Sequence, residues 1–434
     1  MTQTVRGSLL FALVAALIVL TGIMQGWNSA LVILNMGLIS AIMALGVNLQ
    51  WGFAGLFNVG VMGFVALGGL ATVLVSMPPT GEAWSAGGLR KLIALASGAL
   101  TVVIAIYVSQ RMRPSWSRVF AIAAILIVGL IIYRMLFYPA RDAIESVNPA
   151  ATGYLGGAGL PVLLAWPVGA LLAAGAAWIV GKTALGLRSD YLAIATLGIA
   201  EIIIAVMKNE DWLTRGVKNV VGIPRPVPYE IDLQNDPDFV AQATELGLTA
   251  VEWSTLYVKL GYTALFATVL ITLLILAQLA LASPWGRMMR AIRDNEVAAE
   301  AMGKDVKRRH LQIFILGSAI CGLAGAMMTT LDGQLTPGSY QPLRFTFLIW
   351  VMVIVGGSGN NFGAVLGGFL IWFLWVQVEP LGTWLISVIT SPLPEGSALK
   401  DHLIASAPQM RLLTMGVVLL LVLRFSPRGL LPER

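Results

Sequence analysis

The feature that limits this chain most is the recurrence of apolar runs of about 18 to 25 residues, the length that crosses a bilayer core of roughly 30 Å as a helix. Lipid offers the backbone no hydrogen-bond partners, so a crossing segment must satisfy its N–H and C=O groups internally, and a helix does so within itself. Composition leads the same way. Of the 434 residues, 57% are hydrophobic and 12% charged, whereas soluble domains carry about 25% charged residues. A water-soluble globule is excluded, because too few polar residues remain to coat it. The single cysteine, Cys321, permits no internal disulfide, and His310 and His402 are too few and too far apart for a His/Cys metal site. The expected fold is all-α: one polytopic transmembrane helical bundle over residues 1–434.

Apolar segments fall at about residues 8–26, 30–49, 55–76, 92–109, 119–137, 160–181, 190–208, 255–281, 310–330, 345–356, 362–381 and 412–424, a reading of ten to twelve spans. Those at 345–356 and 412–424 are shorter than a full crossing and are expected to be half-helices, re-entrant turns or tilted ends. The first run follows Arg6 but is longer than the apolar core of a secretory signal and lacks a small-residue cleavage site, so it is expected to be a retained helix.

Lys and Arg accumulate on the cytoplasmic side of membrane proteins. With the N-terminus inside, the inner connections hold 16 of the 28 Lys and Arg, among them Arg111, Arg113 and Arg118 and seven between Arg287 and Arg309, while the longer outer connections hold nine. Both termini are therefore expected in the cytoplasm. Residues 209–253 carry eight acids and the prolines Pro224, Pro226 and Pro228, and are expected to form an external loop rather than a continuous helix. The net charge of +6 thus reflects topology and not affinity for nucleic acid.

The cytoplasmic connection 282–309 is too orderly for a plain linker. Ser283 is placed to cap a helix with Pro284 at its first position, and Arg287, Arg290 and Arg293 recur every three residues. Asp294 or Asn295 can cap a second helix that ends at Gly303. On that helix Glu296 and Glu300 share a face, and Ala298, Ala299 and Ala301 keep it thin enough to enter a groove on another protein. The alternative is a solvated loop whose charges only set orientation.

Glu296-Val-Ala-Ala-Glu-Ala-Met-Gly303, with Arg287 to Asn295 before it, resembles the coupling loop of ABC importer permeases, specifically the branched-chain amino acid (LivM-like) subunits. Segments resembling the same family occur in matching order at Asn48-Leu-Gln-Trp-Gly-Phe-Ala-Gly-Leu-Phe-Asn58, at Asp190 to Glu201, and at Val355 to Gly368 through Gly-Gly-Ser-Gly-Asn-Asn-Phe-Gly. The likeness covers about 30–75 and 155–375, and departs from the family at about 80–150, where an extra pair of spans appears.

Gly52 and Gly55 precede Asn58 in one half, and Gly356 and Gly359 precede Asn360, Asn361 and Gly363 in the other. Paired glycine-interrupted apolar segments read as broken helices at a transport site, where freed backbone groups face a cavity; on that reading Asn48, Asn58, Asn360 and Asn361 border the pathway. Gly359, Gly363 and Gly367 also form a four-residue stripe suited to close helix packing. Glu201 stands mid-span beside Ile202, Ile203 and Ile204, where a carboxylate costs about 2.5–3.5 kcal/mol on insertion scales. It must be neutralised, paired or used as a cap, either as a structural buried group or on the pathway. Gly181-Lys182-Thr183 lacks a correctly spaced upstream glycine for a phosphate loop, and Ser358 and His402 are expected on opposite faces, which argues against an intramembrane hydrolase.

The resemblance implies a non-enzymatic permease subunit of an ABC importer of branched-chain amino acids in the bacterial inner membrane. It would hold no cofactor, ATP being bound by its partners: two cytoplasmic ATPases, beside a LivH-like permease, a periplasmic binding protein and membrane lipid. Urea or short amides are an alternative cargo, and a stand-alone secondary carrier using Glu201 is a reading from another class.

Overall fold

The computed structural model describes residues 3–150, 152–391 and 397–433. Ten of its helices are long and apolar enough to cross a membrane, and two further apolar helices are shorter, so all twelve apolar segments of the sequence are helical among the described residues. In chain order they are α1 (Gln3–Gln25), α2 (Trp27–Ala54), α3 (Val61–Ser76), α4 (Gly81–Arg111), α5 (Trp116–Glu145), α6 (Val162–Ala184), α7 (Ser189–Asn209) and α8 (Ala250–Ala282). Two short helices follow, α9 (Pro284–Asp294) and α10 (Glu296–Ala301), then α11 (Val306–Asp332), α12 (Pro342–Gly356), α13 (Asn361–Ile389) and α14 (Ala407–Phe425).

Of the two segments expected to be short, 345–356 is so, as α12, and 412–424 is not. The run at 412–424 extends to the full-length α14, whereas the run at 55–76 is interrupted, because residues 55–60 leave the helix and only Val61–Ser76 is helical. α3 and α12, of 16 and 15 residues, rise about 24 and 22 Å at 1.5 Å per residue, less than a hydrocarbon core of about 30 Å. Each adjoins a glycine break. Residues 55–60 separate α2 from α3, and residues 357–360 separate α12 from α13.

The core lies where α2, α3, α11, α12 and the first half of α13 meet, with Ile39, Ile42, Leu45, Phe314, Met327 and Val351 fully or almost fully enclosed. Backbone meets backbone there: a Cβ on Gly68 would fall 1.8 Å from the Gly322 carbonyl oxygen, a separation only glycine permits. α4 and α5 pair with each other and present apolar side chains outward along most of their length. Their anchor is a cluster at the end where α4 begins and α5 finishes, where the buried Lys91 places Nζ 3.0 Å from the Phe137 ring centroid and 4.2 Å from that of Trp212.

Twelve alternating helices return the chain to the end where it began, and the contacts agree. Gly7 lies against Leu431, and Arg293 of α9 reaches both Gly52 and Glu433. At the opposite end the connection 209–253 folds into short helical turns with β1 (Val220–Val221) paired antiparallel to β2 (Gln334–Leu335), and Phe239 stacks on Trp253. His402, in the helix Ala398–Ala405 between α13 and α14, belongs to that end, away from Ser358 in the second break.

Candidate functional site

The two glycine breaks are one structure. α2 ends at Gly55 in the left-handed conformation (φ 70°), with its N–H bonded to the Trp51 carbonyl. The second break turns through Gly357 (φ 122°) and Gly359 (φ 80°), and Asn360 caps α13 by accepting from the N–H groups of Phe362 and Gly363. Asn48 joins them: its Nδ2 donates to Asn361 Oδ1 at 3.0 Å, and its Oδ1 accepts the Gly359 N–H at 2.9 Å. Gly52 sits so close that a Cβ there would fall 2.3 Å from the Gly359 nitrogen. Asn58 donates to Gln50 at 2.9 Å, its carbonyl accepts Trp350 Nε1–H at 3.0 Å, and Gln50 donates to the Phe314 carbonyl and to Ser318 of α11. Trp51, Phe57 and Trp350 close the cluster, with centroids 4.7–5.6 Å apart.

Asn48 and Asn58 are therefore sealed within the protein and bonded to protein groups; they brace the breaks rather than border an open path. Asn360 and Asn361 do border a cavity of about 650 Å³ at the same end, together with Arg290, Phe53, Phe362 and Glu433. Of the glycine stripe, Gly363 and Gly367 pack on α12, where a Cβ on Gly367 would meet the Met352 carbonyl oxygen at 1.9 Å and one on Gly356 would meet that of Gly363 at 2.0 Å. Gly359 belongs instead to the turn.

The connection 282–309 forms two helices. Ser283 occupies the N-cap position with Pro284 first in α9, although its hydroxyl bonds the Ala280 carbonyl. Of the two candidate caps for α10, Asn295 takes the role, accepting the Ala298 N–H at 3.0 Å. α10 closes through Met302 to Gly303 at φ 78°. Glu296, Glu300 and Ala301 are exposed, while Ala299 is buried against Ile292 and Val306 and holds the hook to its base. The arginines turn back towards the bundle: Arg287 donates to the Ala282 carbonyl, Arg290 lies by that of Leu281, and Arg293 donates to the Gly52 carbonyl at 2.5 Å and to Glu433 at 2.8 Å.

Three features escape residue-by-residue reading. Val297 and Met302, 77% and 78% exposed, are apolar tips on the hook. The tail is a clip: Leu430 and Leu431 donate N–H bonds to the Val355 and Gly356 carbonyls, and Asn360 donates to the Pro432 carbonyl, so Glu433 is held beside Arg293. Glu201 is neither buried nor in the cavity. It is exposed on the outer side of α7 and has no partner among the described residues.

A bundle of alternating membrane helices with two braced breaks, and a helical hook wired to them, has the build of a multi-pass membrane permease. The family described as branched-chain amino acid transport system / permease component matches residues 119–423, and the chain belongs to that family. The match starts inside α5 and ends inside α14, so it takes in one helix of the extra pair and the final span, beyond the reach of the motif likeness. The chain is 26% identical over 318 residues to the high-affinity branched-chain amino acid transport system permease protein LivM of Escherichia coli (strain K12), covering 70% of this chain and 65% of the relative. It is 24% identical over 249 residues to the probable branched-chain amino acid transport permease protein LivM of Methanocaldococcus jannaschii, covering 57% and 61%. A probable LivH permease of the same archaeon is 30% identical over 110 residues, 25% of this chain and 34% of that protein. The chain thus spans just under two thirds of the length of the curated LivM relatives it matches. No solved structure matches it.

Proposed function

We propose that this chain is a non-catalytic membrane subunit of an ATP-driven importer of branched-chain amino acids. One observation carries the reading: a thin exposed helix, α10, stands on a base helix whose Arg293 bonds the Gly52 carbonyl in the last turn of α2, beside the first break, and Glu433 of the tail clipped to the second. Motion imposed on the hook would reach both breaks through two charge-assisted hydrogen bonds and the Asn48 bridge. The names of the relatives favour branched-chain amino acids over urea or short amides as cargo.

On this reading α10 enters a groove on a cytoplasmic ATPase. Two such ATPases bind the nucleotide, a LivH-like permease completes the membrane part, and a substrate-binding protein docks on the opposite end, where 209–253 lies. The hook end and both termini face the cytoplasm across the inner membrane. ATP binding would shift the breaks between two arrangements only to the extent that the ATPases grip α10 differently in their two states.

The test is uptake of radiolabelled leucine by proteoliposomes holding the whole complex. Uptake should need enclosed ATP, the binding protein and the ATPases. Equal uptake by this chain with its partner permease alone, without ATP, would end the proposal.

A further inference from the structure

On α7 the residues Tyr191, Ile194, Gly198, Glu201 and Ala205 are all exposed and follow one another at spacings of three, four, three and four, the register by which one helix seats another. The other side of α7 is packed: Thr196 lies against Gly60 at the end of the first break and Ala200 against Gly63 of α3, so close that a Cβ on Gly60 would be 2.3 Å from the Thr196 carbonyl oxygen. The outer seam is left open, and a Cβ on Gly198 would meet nothing within 4 Å.

The carboxylate decides what covers this seam. Glu201 lies eight residues from the end of α7 at Asn209, about 12 Å of helix rise, too far for a glutamate side chain to reach the headgroup layer. Acyl chains offer it no donor, whereas a facing protein helix can supply one, and the small residues on either side let such a helix approach closely.

We infer that the Tyr191–Ala205 seam of α7 is the seat of the second permease subunit, which places a hydrogen-bond donor or a cation opposite Glu201. The inference rests on the reading of this chain as one of two permease subunits.

A photoreactive phenylalanine analogue at Ile194 or Ala205, with Leu171 and Ile179 on α6 as exposed controls, tests it in membranes carrying the whole transporter. Irradiation should join the α7 positions, and not the α6 positions, to the partner permease, identified by mass spectrometry. Glu201→Leu should lower co-purification of that partner by about three- to tenfold, and Glu201→Gln should restore it to within about twofold. Adducts to lipid alone, to a second copy of this chain or to any other protein would overturn the inference, as would full partner recovery with Glu201→Leu. Seam adducts without ATP-driven uptake would overturn the importer reading alone, and ATP-driven uptake without seam adducts would overturn the seam alone.

Discussion

Arg293, at the end of the hook's base helix, donates its Nη1–H to the carbonyl of Gly52 at 2.5 Å. Gly52 lies in the last turn of α2 and close to Gly359 of the second break, and the same nitrogen is 2.8 Å from Glu433. One guanidinium thus bonds the last turn of α2, beside the first break, and reaches the second break through the tail.

Arg293→Ala removes hydrogen bonds to charged groups worth about 1.5–3 kcal/mol, from a side chain only 23% exposed. Insertion and subunit assembly should survive, while leucine transported per ATP hydrolysed falls by about tenfold or more. The check is the ratio of the two rates in proteoliposomes, and an unchanged ratio would remove Arg293 from the relay.

Gly303 closes the hook at φ 78° with open space around it, so Gly303→Val suffers backbone strain of about 1–2 kcal/mol rather than a clash. ATPase co-purification should fall while membrane insertion is unchanged. Met302→Glu, which charges an exposed apolar tip, should do the same without strain. Full ATPase recovery with both variants would leave the hook without a docking role.

Asn48→Leu leaves the Gly359 N–H without its acceptor in a buried site, a loss of about 1–3 kcal/mol. The thermal unfolding midpoint of the purified complex should drop, and uptake with it. A variant as stable as the parent would show that the bridge contributes nothing to the brace.

Two glycine substitutions should behave oppositely. Gly367→Ala drives a methyl to within 1.9 Å of the Met352 carbonyl oxygen, so α12 and α13 must separate at a cost of about 1–3 kcal/mol. Gly175→Ala on α6 points into open space and should be neutral or stabilising by up to about 1 kcal/mol through helix propensity. Melting curves of the two variants compare them directly, and equal midpoints would contradict the packing at Gly367.

Cysteines at positions 236 and 305 test sidedness against a quiet background, since the native Cys321 is buried. An impermeant maleimide added to intact cells should label Asp236→Cys and miss Asp305→Cys, and the reverse pattern would invert the orientation.

Much of this architecture is local and therefore legible along the chain. Each crossing is announced by the length of its own apolar run, and the caps of α9 and α10 by Pro284, Asn295 and Gly303, because burial in lipid and capping depend on a residue and its near neighbours. The bias of Lys and Arg is additive over loops, so it predicts a common side for the termini and the hook without any knowledge of packing, and the fold joins them at one end.

Tertiary structure alone decided what each span faces. Lipid tails and a protein interior are equally apolar, so hydropathy does not separate the enclosed α2 from the outward-facing α5. For the same reason the sequence left Glu201 open between a buried site and the pathway, whereas packing put it on the outer seam of α7. It also left Asn48 and Asn58 as candidate pathway residues until packing brought Gly359 of the second break to the Asn48 side chain and Trp350 of α12 to the Asn58 backbone carbonyl. Glu433, 140 residues from Arg293, carries no local signal of that pairing, because a contact between distant segments exists only once the helices between them have folded back on one another.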